Sequence, residues 1–504
     1  MRYQNPIIRG FNPDPSICRV GDDYYLVTSS FEYTPGIPIY HSKDLVNWEQ
    51  VGNCVTRKDQ VDMTDAKDSG GIWAPTLRYH KGIFYVTATV DGIGNFIMET
   101  EDILGEWSDP VWVEMGGIDP SIYFEGDEAY YCTNYSLHAG VEEITAVHID
   151  VHTGKLLGDI KTLWTGTGGG YLEAPHIYKV GEWYYLFTAE GGTNFNHMET
   201  VARSHSLWGP YEDCPIRPVL SNAWGTTKQV QCSGHADLFE DHRGNWWMVH
   251  LGIRLSRRTM SVLGRETFLM PVTWKNGWPY ISESRRCVIE AEGPLWEKQK
   301  KNSRWRADFF NETWEPQWIW LRNRDERAKR GNGMLQLHPV KKNDRSGCTH
   351  GVVGVRPMDF ACEVGATFSF LPQTVGEEAG MILYLASDFH YRIGKEKRKD
   401  GMYLVMIRTA EDMVQTVLER KIGDGILSIR IQTGKEKDSF WFQEEGKEWE
   451  VIGPVSNRFL SCEVSGRCFT GMIIGLYAWA KEKTDSEVCI TEFYQRRVEK
   501  KDTW

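Results

Sequence analysis

Nowhere in the 504 residues does an uninterrupted apolar stretch reach the length of a membrane-spanning helix. Positive charge is in the minority: Lys+Arg 57 against Asp+Glu 69 leaves a net charge of −12. That argues against a nucleic-acid backbone or an anionic membrane surface as the partner. The start, Met1-Arg2-Tyr3-Gln4-Asn5-Pro6, lacks the basic residues and apolar run of a secretory signal. The 11 cysteines are odd in number and none forms a Cys-x-x-Cys pair, so free buried thiols in a reducing cytoplasm are expected rather than a disulfide framework. On that reading the sequons at Asn134 and Asn311 carry nothing. No His-Glu-x-x-His or paired-cysteine zinc spacing occurs. Gly166-Thr167-Gly168-Gly169-Gly170 is followed by no Gly-Lys-Ser/Thr, so it reads as a flexible rim and not a phosphate cradle. No helical period is sustained along the chain.

What is present is aromatic: Trp 21, Tyr 22 and Phe 20, a richness that suits all-β architectures and surfaces that stack on sugar rings. The N-terminal part repeats one pattern, in which a small or acidic residue, often followed by Pro, leads through an apolar residue and a Gly turn into an aromatic strand. The copies begin at Asp14, Ala74, Asp119, Ala174 and His235, 45 to 61 residues apart. That period, with hairpin chemistry in each copy, predicts a five-bladed β-propeller over residues 1–294. The repeat stops near Pro294, and the charged stretch 295–306 reads as a linker. From 307 to 504 further strands follow, among them Ala366-Thr367-Phe368-Ser369-Phe370 and Leu427-Ser428-Ile429-Arg430-Ile431, which predict a single β-sandwich. Within it the basic run Lys395 to Lys399 reads as a solvated loop.

In a propeller the innermost strands run along the central axis, so their first residues crowd one mouth of the channel. Across the five copies that mouth holds Asp14, Trp73-Ala74, Asp119, Glu173-Ala174 and His235. Asp before Pro is also a common turn starter, and any one of these carboxylates could be only that. Three at matching places in a narrow funnel are costly unless they are used. Two carboxyls in an aromatic pocket suit glycosidic bond cleavage, which needs one protonated acid and one ionised base, and a third can tune and orient the acid. A non-catalytic sugar-binding propeller would share the fold and the aromatics without needing those carboxylates. A protein-interaction propeller would need neither the acidic funnel nor the sandwich.

Asn12-Pro13-Asp14-Pro15-Ser16, Ser69-Gly70-Gly71-Ile72-Trp73-Ala74-Pro75, Gly117-Ile118-Asp119-Pro120-Ser121, Glu173-Ala174-Pro175-His176 and Leu263-Gly264-Arg265-Glu266-Thr267 together resemble glycoside hydrolase family 43. The likeness is to its two-domain β-xylosidases and related α-L-arabinofuranosidases, and it extends over the whole chain. It implies a five-bladed propeller followed by a lectin-like, concanavalin-type sandwich. It implies Asp14 as general base, Glu173 as general acid, Asp119 tuning and orienting that acid, and Arg265 contacting substrate hydroxyls. Trp73 and Phe31 would wall the terminal sugar subsite, though core packing would account for either. Phe469, in Cys468-Phe469-Thr470-Gly471, matches a sandwich segment that reaches the active site in similar enzymes. His235 matches a histidine beneath the site, in some members near a bound calcium ion and its waters; a hydrogen-bonded structural histidine accounts for it equally well. The implied activity is inverting release of terminal β-D-xylose from short xylo-oligosaccharides, with α-L-arabinofuranosidase or dual specificity as the alternative. No cofactor is required, and the partners expected are a pentose-containing oligosaccharide and, as an open option, further copies of the chain. Fructosidases with five blades are set aside, because Asp14 is followed by Pro-Ser and not by the Asn-Asp-Pro-Asn nucleophile segment.

Overall fold

The computed structural model describes residues 2–223, 229–256, 259–293, 303–342, 350–466 and 469–498. It is all-β: the described helix amounts to one turn at Arg458–Leu460 and one at Cys462–Ser465. Five antiparallel sheets follow one another along the chain. Their innermost strands are Ser16–Val20, Thr76–His80, Ser121–Glu125, Glu173–Val180 and Val230–Glu240. Each is in contact with the next, and the fifth returns to the first, so the strands close a ring around an axis. The middle strands carry the aromatic runs. Trp183–Glu190, for example, is buried along all but its first residue, because both of its faces meet neighbouring blades.

The core is divided accordingly into five inter-blade clusters. One joins the first two blades through Ile37, Ile39, Leu77 and Phe84. The last joins the fifth blade back to the first through Ile17, Leu26, Trp247 and Leu269. Chain closure is done by the N-terminal segment: Arg2–Gln4 pairs with Glu290–Glu292, and Asn5 exchanges side-chain hydrogen bonds with the backbone of Leu269, both at 2.9 Å.

Below the mouth a polar plug fills the axis. Asp237 accepts from Ser16 Oγ at 2.6 Å and from both terminal nitrogens of Arg78 at 2.8 and 3.1 Å, and the Tyr178 hydroxyl also donates to it. Arg78 reaches on to His176 Nδ1 at 2.8 Å. Charged and hydrogen-bonded from several blades, this plug satisfies the buried polar groups that ring closure brings together.

The C-terminal part is a sandwich of an eight-stranded and a nine-stranded sheet around a core that includes Trp318, Phe368, Leu383 and Phe493. Residues 294–302, most of the expected linker, lie outside the described residues. The end of that stretch, Arg304–Arg306, is a strand paired with Val488–Arg497. The basic run is not a solvated loop. Lys395 lies in the strand Phe389–Arg398 and is 1% exposed, its ammonium capped by the carbonyls of Asp424 and Gly425. Alternating Phe389, Tyr391 and Ile393 set that strand's inward face, and the charges merely continue it. None of the nine described cysteines forms a disulfide, and eight are buried.

The two parts share a sheet. Tyr33–Thr34, from the first blade, pairs with Ile319–Leu321 and so becomes an edge strand of the nine-stranded sheet. Around this joint lies an apolar seam of Phe11, Phe31, Tyr33, Ile319, Tyr384 and Tyr477, with Trp73 and Phe469 packed against it.

Candidate active site

In four of the five blades the slot at the head of the innermost strand has an unusual backbone. Asp14, Asp119, Ala174 and His235 all lie in the left-handed region, at φ 53°, 52°, 53° and 54°. Non-glycine residues rarely hold that conformation, and it gathers at functional sites. In the fourth blade the slot therefore belongs to Ala174, and the carboxyl comes from Glu173 one residue earlier, on a side chain one methylene longer.

The slots converge. His235 Nδ1 lies 3.7 Å from Asp14 Oδ1 and 4.0 Å from Asp119 Oδ2. Asp14 is 2% exposed and firmly held. Arg265 Nη1 donates to its Oδ1 at 2.6 Å, Arg265 Nη2 reaches Oδ2 at 3.4 Å, and Ser29 Oγ donates to Oδ2 at 2.5 Å. The strands carrying acid and guanidinium are tied by Asn12, whose N–H donates to Arg265 O at 3.0 Å and whose carbonyl accepts from Thr267 Oγ1 at 2.7 Å.

Glu173 is half-buried at the pocket wall. Burial, first, and the charge of Asp14 push its carboxyl up to about 7, against the opposing pull of Arg265; Glu142 adds a smaller upward push. Asp119 is raised well above the usual carboxylate range by burial, then by facing Glu173 and Asp14, while the Ala174 N–H donates to it. Like charges facing one another in a buried site keep a proton between them at neutral pH, and the pair Asp119–Glu173 is so arranged. His235 is lowered by burial foremost, which favours the neutral imidazole.

The sandwich completes the pocket. Phe469 stacks on Phe31 at 5.8 Å between centroids and meets Trp73 at 5.9 Å. Its carbonyl accepts from Arg265 Nη2 at 3.0 Å, and the guanidinium carbon lies 5.5 and 5.8 Å from the Phe31 and Phe469 rings. Gly264, at φ +73°, packs so closely on the sandwich that a Cβ there would sit 2.7 Å from Thr470 O. All eight residues expected at the site are thus at or around one funnel. A cavity of about 270 Å³ borders Arg265, Cys232, Thr193 and Glu463, and one of about 200 Å³ borders Glu173, Glu142, Asn134 and Tyr171.

Sequence reasoning missed several residues here. Ser29, which orients Asp14, sits in a Ser-rich strand end with no distinctive spacing. Glu142 holds the approach to the acid, accepting from the N–H groups of Tyr171 and Leu172 at 2.9 and 3.4 Å. The glycine rim is anchored: Glu190 accepts from Thr167 N and Gly169 N at 2.9 and 2.7 Å. His197, buried with its Nδ1 on Gly192 O at 2.9 Å, packs against Gly234 beside His235.

Calcium takes six to eight oxygen ligands. Around His235 the protein offers an imidazole, Asp14, whose charge Arg265 already meets, and Asp119, which burial and the facing carboxyls favour in its neutral form. Among the described residues no group of three or more His, Cys, Asp or Glu is arranged to hold a metal. The residues there do not by themselves fit a calcium ion, and no step below runs through one.

A propeller funnel holding a protonated carboxyl opposite a gripped one, walled by aromatic rings, defines a glycoside hydrolase. Comparison with known proteins agrees. The family described as Glycosyl hydrolases family 43 matches residues 3–279, and the Beta xylosidase C-terminal Concanavalin A-like domain matches 306–495. The chain belongs to glycosyl hydrolase family 43. It is 39% identical over 497 residues to the non-reducing end α-L-arabinofuranosidase BoGH43B of Bacteroides ovatus, covering 94% of this chain and 91% of that one. It is 34% identical to a xylosidase/arabinosidase of Butyrivibrio fibrisolvens, covering 97% and 98%. The crystal structure of a xylan β-1,4-xylosidase from Bacillus halodurans superposes with a TM-score of 0.91 at 30% identity, covering 98% of this chain and all of that one.

Ser29→Ala removes a charge-assisted donor from Asp14, an interaction of about 1.5–3 kcal/mol. It should lower kcat about tenfold to a hundredfold and leave KM within about twofold, as steady-state kinetics on a nitrophenyl pentoside will show.

Proposed function

We propose that the chain is an inverting exo-glycosidase that releases terminal β-D-xylose from short xylo-oligosaccharides. Asp14 serves as general base, Glu173 as general acid, and Asp119 tunes and orients that acid. The observation that carries this reading is the pairing across one funnel of a carboxyl gripped by Arg265 and Ser29 with a carboxyl pushed up to about 7. Asp14 takes the proton of a water that attacks the anomeric carbon. Glu173 gives its proton to the departing glycosidic oxygen, and each must be re-set by solvent before the next turnover. Side chains supply every proton transfer, so no organic cofactor is called for. Arg265 serves twice, meeting the charge of Asp14 and presenting a guanidinium edge to sugar hydroxyls. A cytoplasmic setting fits the same reading, since short imported oligosaccharides would be the glycans available there.

The pocket favours pentoses. Phe31, Trp73 and Phe469 pack on one another as one wall of it, and a wall so braced cannot readily yield to a hexose hydroxymethyl group. A second reading, α-L-arabinofuranosidase, is favoured by the relative at 39% identity, whose name carries that activity. The xylosidase/arabinosidase relative supports an enzyme that takes both sugars.

Three outcomes are expected. Proton NMR of the first sugar released should show the anomer opposite to that of the substrate; retention would overturn the assignment of Asp14 as base.

Glu173→Ala should slow substrates with poor leaving groups far more than activated aryl glycosides, whereas Asp14→Ala should slow both by several orders of magnitude. For the wild type, kcat should fall as pH rises above about 7, where Glu173 gives up its proton, and Glu173→Ala should lose that limb in kcat on an activated substrate. Equal leaving-group dependence in the two variants would mean that acid and base are misassigned.

On substrate, one extra group in a closed pocket costs about 1–3 kcal/mol, roughly tenfold to a hundredfold in rate. Nitrophenyl β-xyloside or α-L-arabinofuranoside should beat the β-glucoside by at least that margin in kcat/KM. An arabinofuranoside ahead of the xyloside would move the substrate to the second reading and leave the mechanism in place.

A further inference from the structure

Two carboxyls unconnected with the acid–base pair lie in the seam between propeller and sandwich. Glu32 is fully buried, and Asp68 has a side chain 3% exposed. A single guanidinium meets them, that of Arg322 from the sandwich, itself 0% exposed. Its Nη2 donates to Asp68 Oδ1 at 3.1 Å and its Nε to Ala66 O at 2.6 Å, while its backbone N–H donates to Glu32 O at 2.7 Å. Asp68 is well supplied with donors, since Tyr384 Oη at 2.9 Å and Ser387 N at 2.8 Å also give to it. Glu32 receives backbone N–H groups only, from Ser69 at 3.1 Å and its own, and its Oε1 has no hydrogen-bond partner. The other titratable groups facing it are the hydroxyls of Tyr33 and Tyr384, both raised well above their ordinary range by burial and so uncharged.

Two carboxylates against one guanidinium would leave a net negative charge sealed from water, which is expensive. A single proton removes it. With the donors gathered on Asp68, that proton belongs on Glu32.

The position of Glu32 gives that proton a consequence. Glu32 follows Phe31 directly in the chain. Phe31 and Ile72 exchange backbone hydrogen bonds at 2.8 and 3.1 Å. Gly71, at φ +83°, comes so near that a Cβ there would lie 2.3 Å from Phe31 O. On the other side Glu32 Oε2 holds the N–H of Ser69, whose carbonyl accepts the indole N–H of Trp73 at 3.2 Å. One aromatic ring of the pocket wall, Trp73, is therefore tied to this carboxyl through Ser69, and another, Phe31, adjoins it in the chain.

We propose that Glu32 is a positioning residue for the sugar pocket: a neutral carboxylic acid that fixes Trp73 through Ser69, and that loosens this wall when it ionises. The proposal rests on the reading of Trp73 as a wall of the sugar subsite. Burial and the facing Asp68 push the Glu32 carboxyl up to about 8, which places its ionisation just above neutral pH. At pH 9 such a group is about nine-tenths ionised. An uncompensated charge then appears behind the wall, and substrate binding weakens while the acid and base stay in place.

The test compares wild type with Glu32→Gln, which has the shape of the neutral acid and cannot ionise. Infrared difference spectra at pH 7 should show a protonated-carboxyl stretch in wild type that Glu32→Gln lacks and that fades in wild type between pH 7 and pH 9. On an activated nitrophenyl pentoside, wild-type KM should rise about fivefold or more over that interval, and KM of Glu32→Gln should change less than about twofold. Identical infrared spectra in the two proteins, or parallel KM profiles, would overturn the proposal. Should Glu32→Gln not fold, Asp68→Asn carries the test. Removing the facing anion lowers the proton affinity of Glu32, so the KM midpoint should move to lower pH, and an unmoved midpoint counts against it. The underlying reading is checked separately by Trp73→Ala. Unchanged KM there would remove Trp73 from the subsite whatever the infrared spectra show about the proton.

Discussion

Everything at this site depends on one electrostatic arrangement: three carboxyls and a single guanidinium drawn into one funnel, with Asp14, Asp119 and Arg265 buried. Arg265 spends its charge on Asp14, and that allocation leaves Glu173 and Asp119 facing each other without a cation of their own. Were the guanidinium turned from Asp14 toward Glu173, the proton affinity of Glu173 would fall and that of Asp14 would rise. The fold enforces the asymmetry. Arg265 is braced by the Phe469 carbonyl and by the close packing of Gly264 on the sandwich, so the arginine is aimed before any sugar arrives. The division of labour between like residues thus comes from geometry and not from residue type.

The propeller was legible in the sequence because its repeat is physical. Each blade must start an axial strand, turn at a glycine and bury an aromatic middle strand, and those needs recur at 45 to 61 residues. The convergence of Asp14, Asp119 and His235 followed from that register alone. Glu173 was found beside Ala174, whose place in the repeat was already marked and whose left-handed backbone at φ 53° matches the slots of Asp14 and Asp119. Ser29, Glu142 and Glu190 escaped for a common reason. Each acts through a hydrogen bond to a residue distant in sequence or to a neighbouring loop's amides, and nothing in its own surroundings marks it. Lys395 was misread on charge, which is a poor guide when a lysine can cap buried carbonyls. The sandwich's share of the active site came only through family resemblance, since Phe469 sits in a segment with no acidic or aromatic pattern of its own.

A consistent picture emerges of a rigid pocket assembled from two directions. The propeller contributes the carboxyls from its axis, where the inner strands close on one another. The sandwich contributes the cover, one ring and one carbonyl, together with the buried arginine that meets Asp68 behind the aromatic wall. The mutual packing of Phe31, Trp73 and Phe469 is set in the seam between the two parts.

The two-residue strand Tyr33–Thr34 bears on how such a chain can be inherited. Because it belongs to the first blade by sequence and to the nine-stranded sheet by pairing, the halves are not interchangeable modules. A gene fragment encoding the propeller alone would bare Phe11, Phe31 and Tyr33 together with an unpaired strand edge, a combination that invites aggregation. Recombination that swapped the sandwich for an unrelated domain would break the pocket as well as the joint. The unit on which selection acts is the whole two-part chain, and its halves are bound to diverge in step.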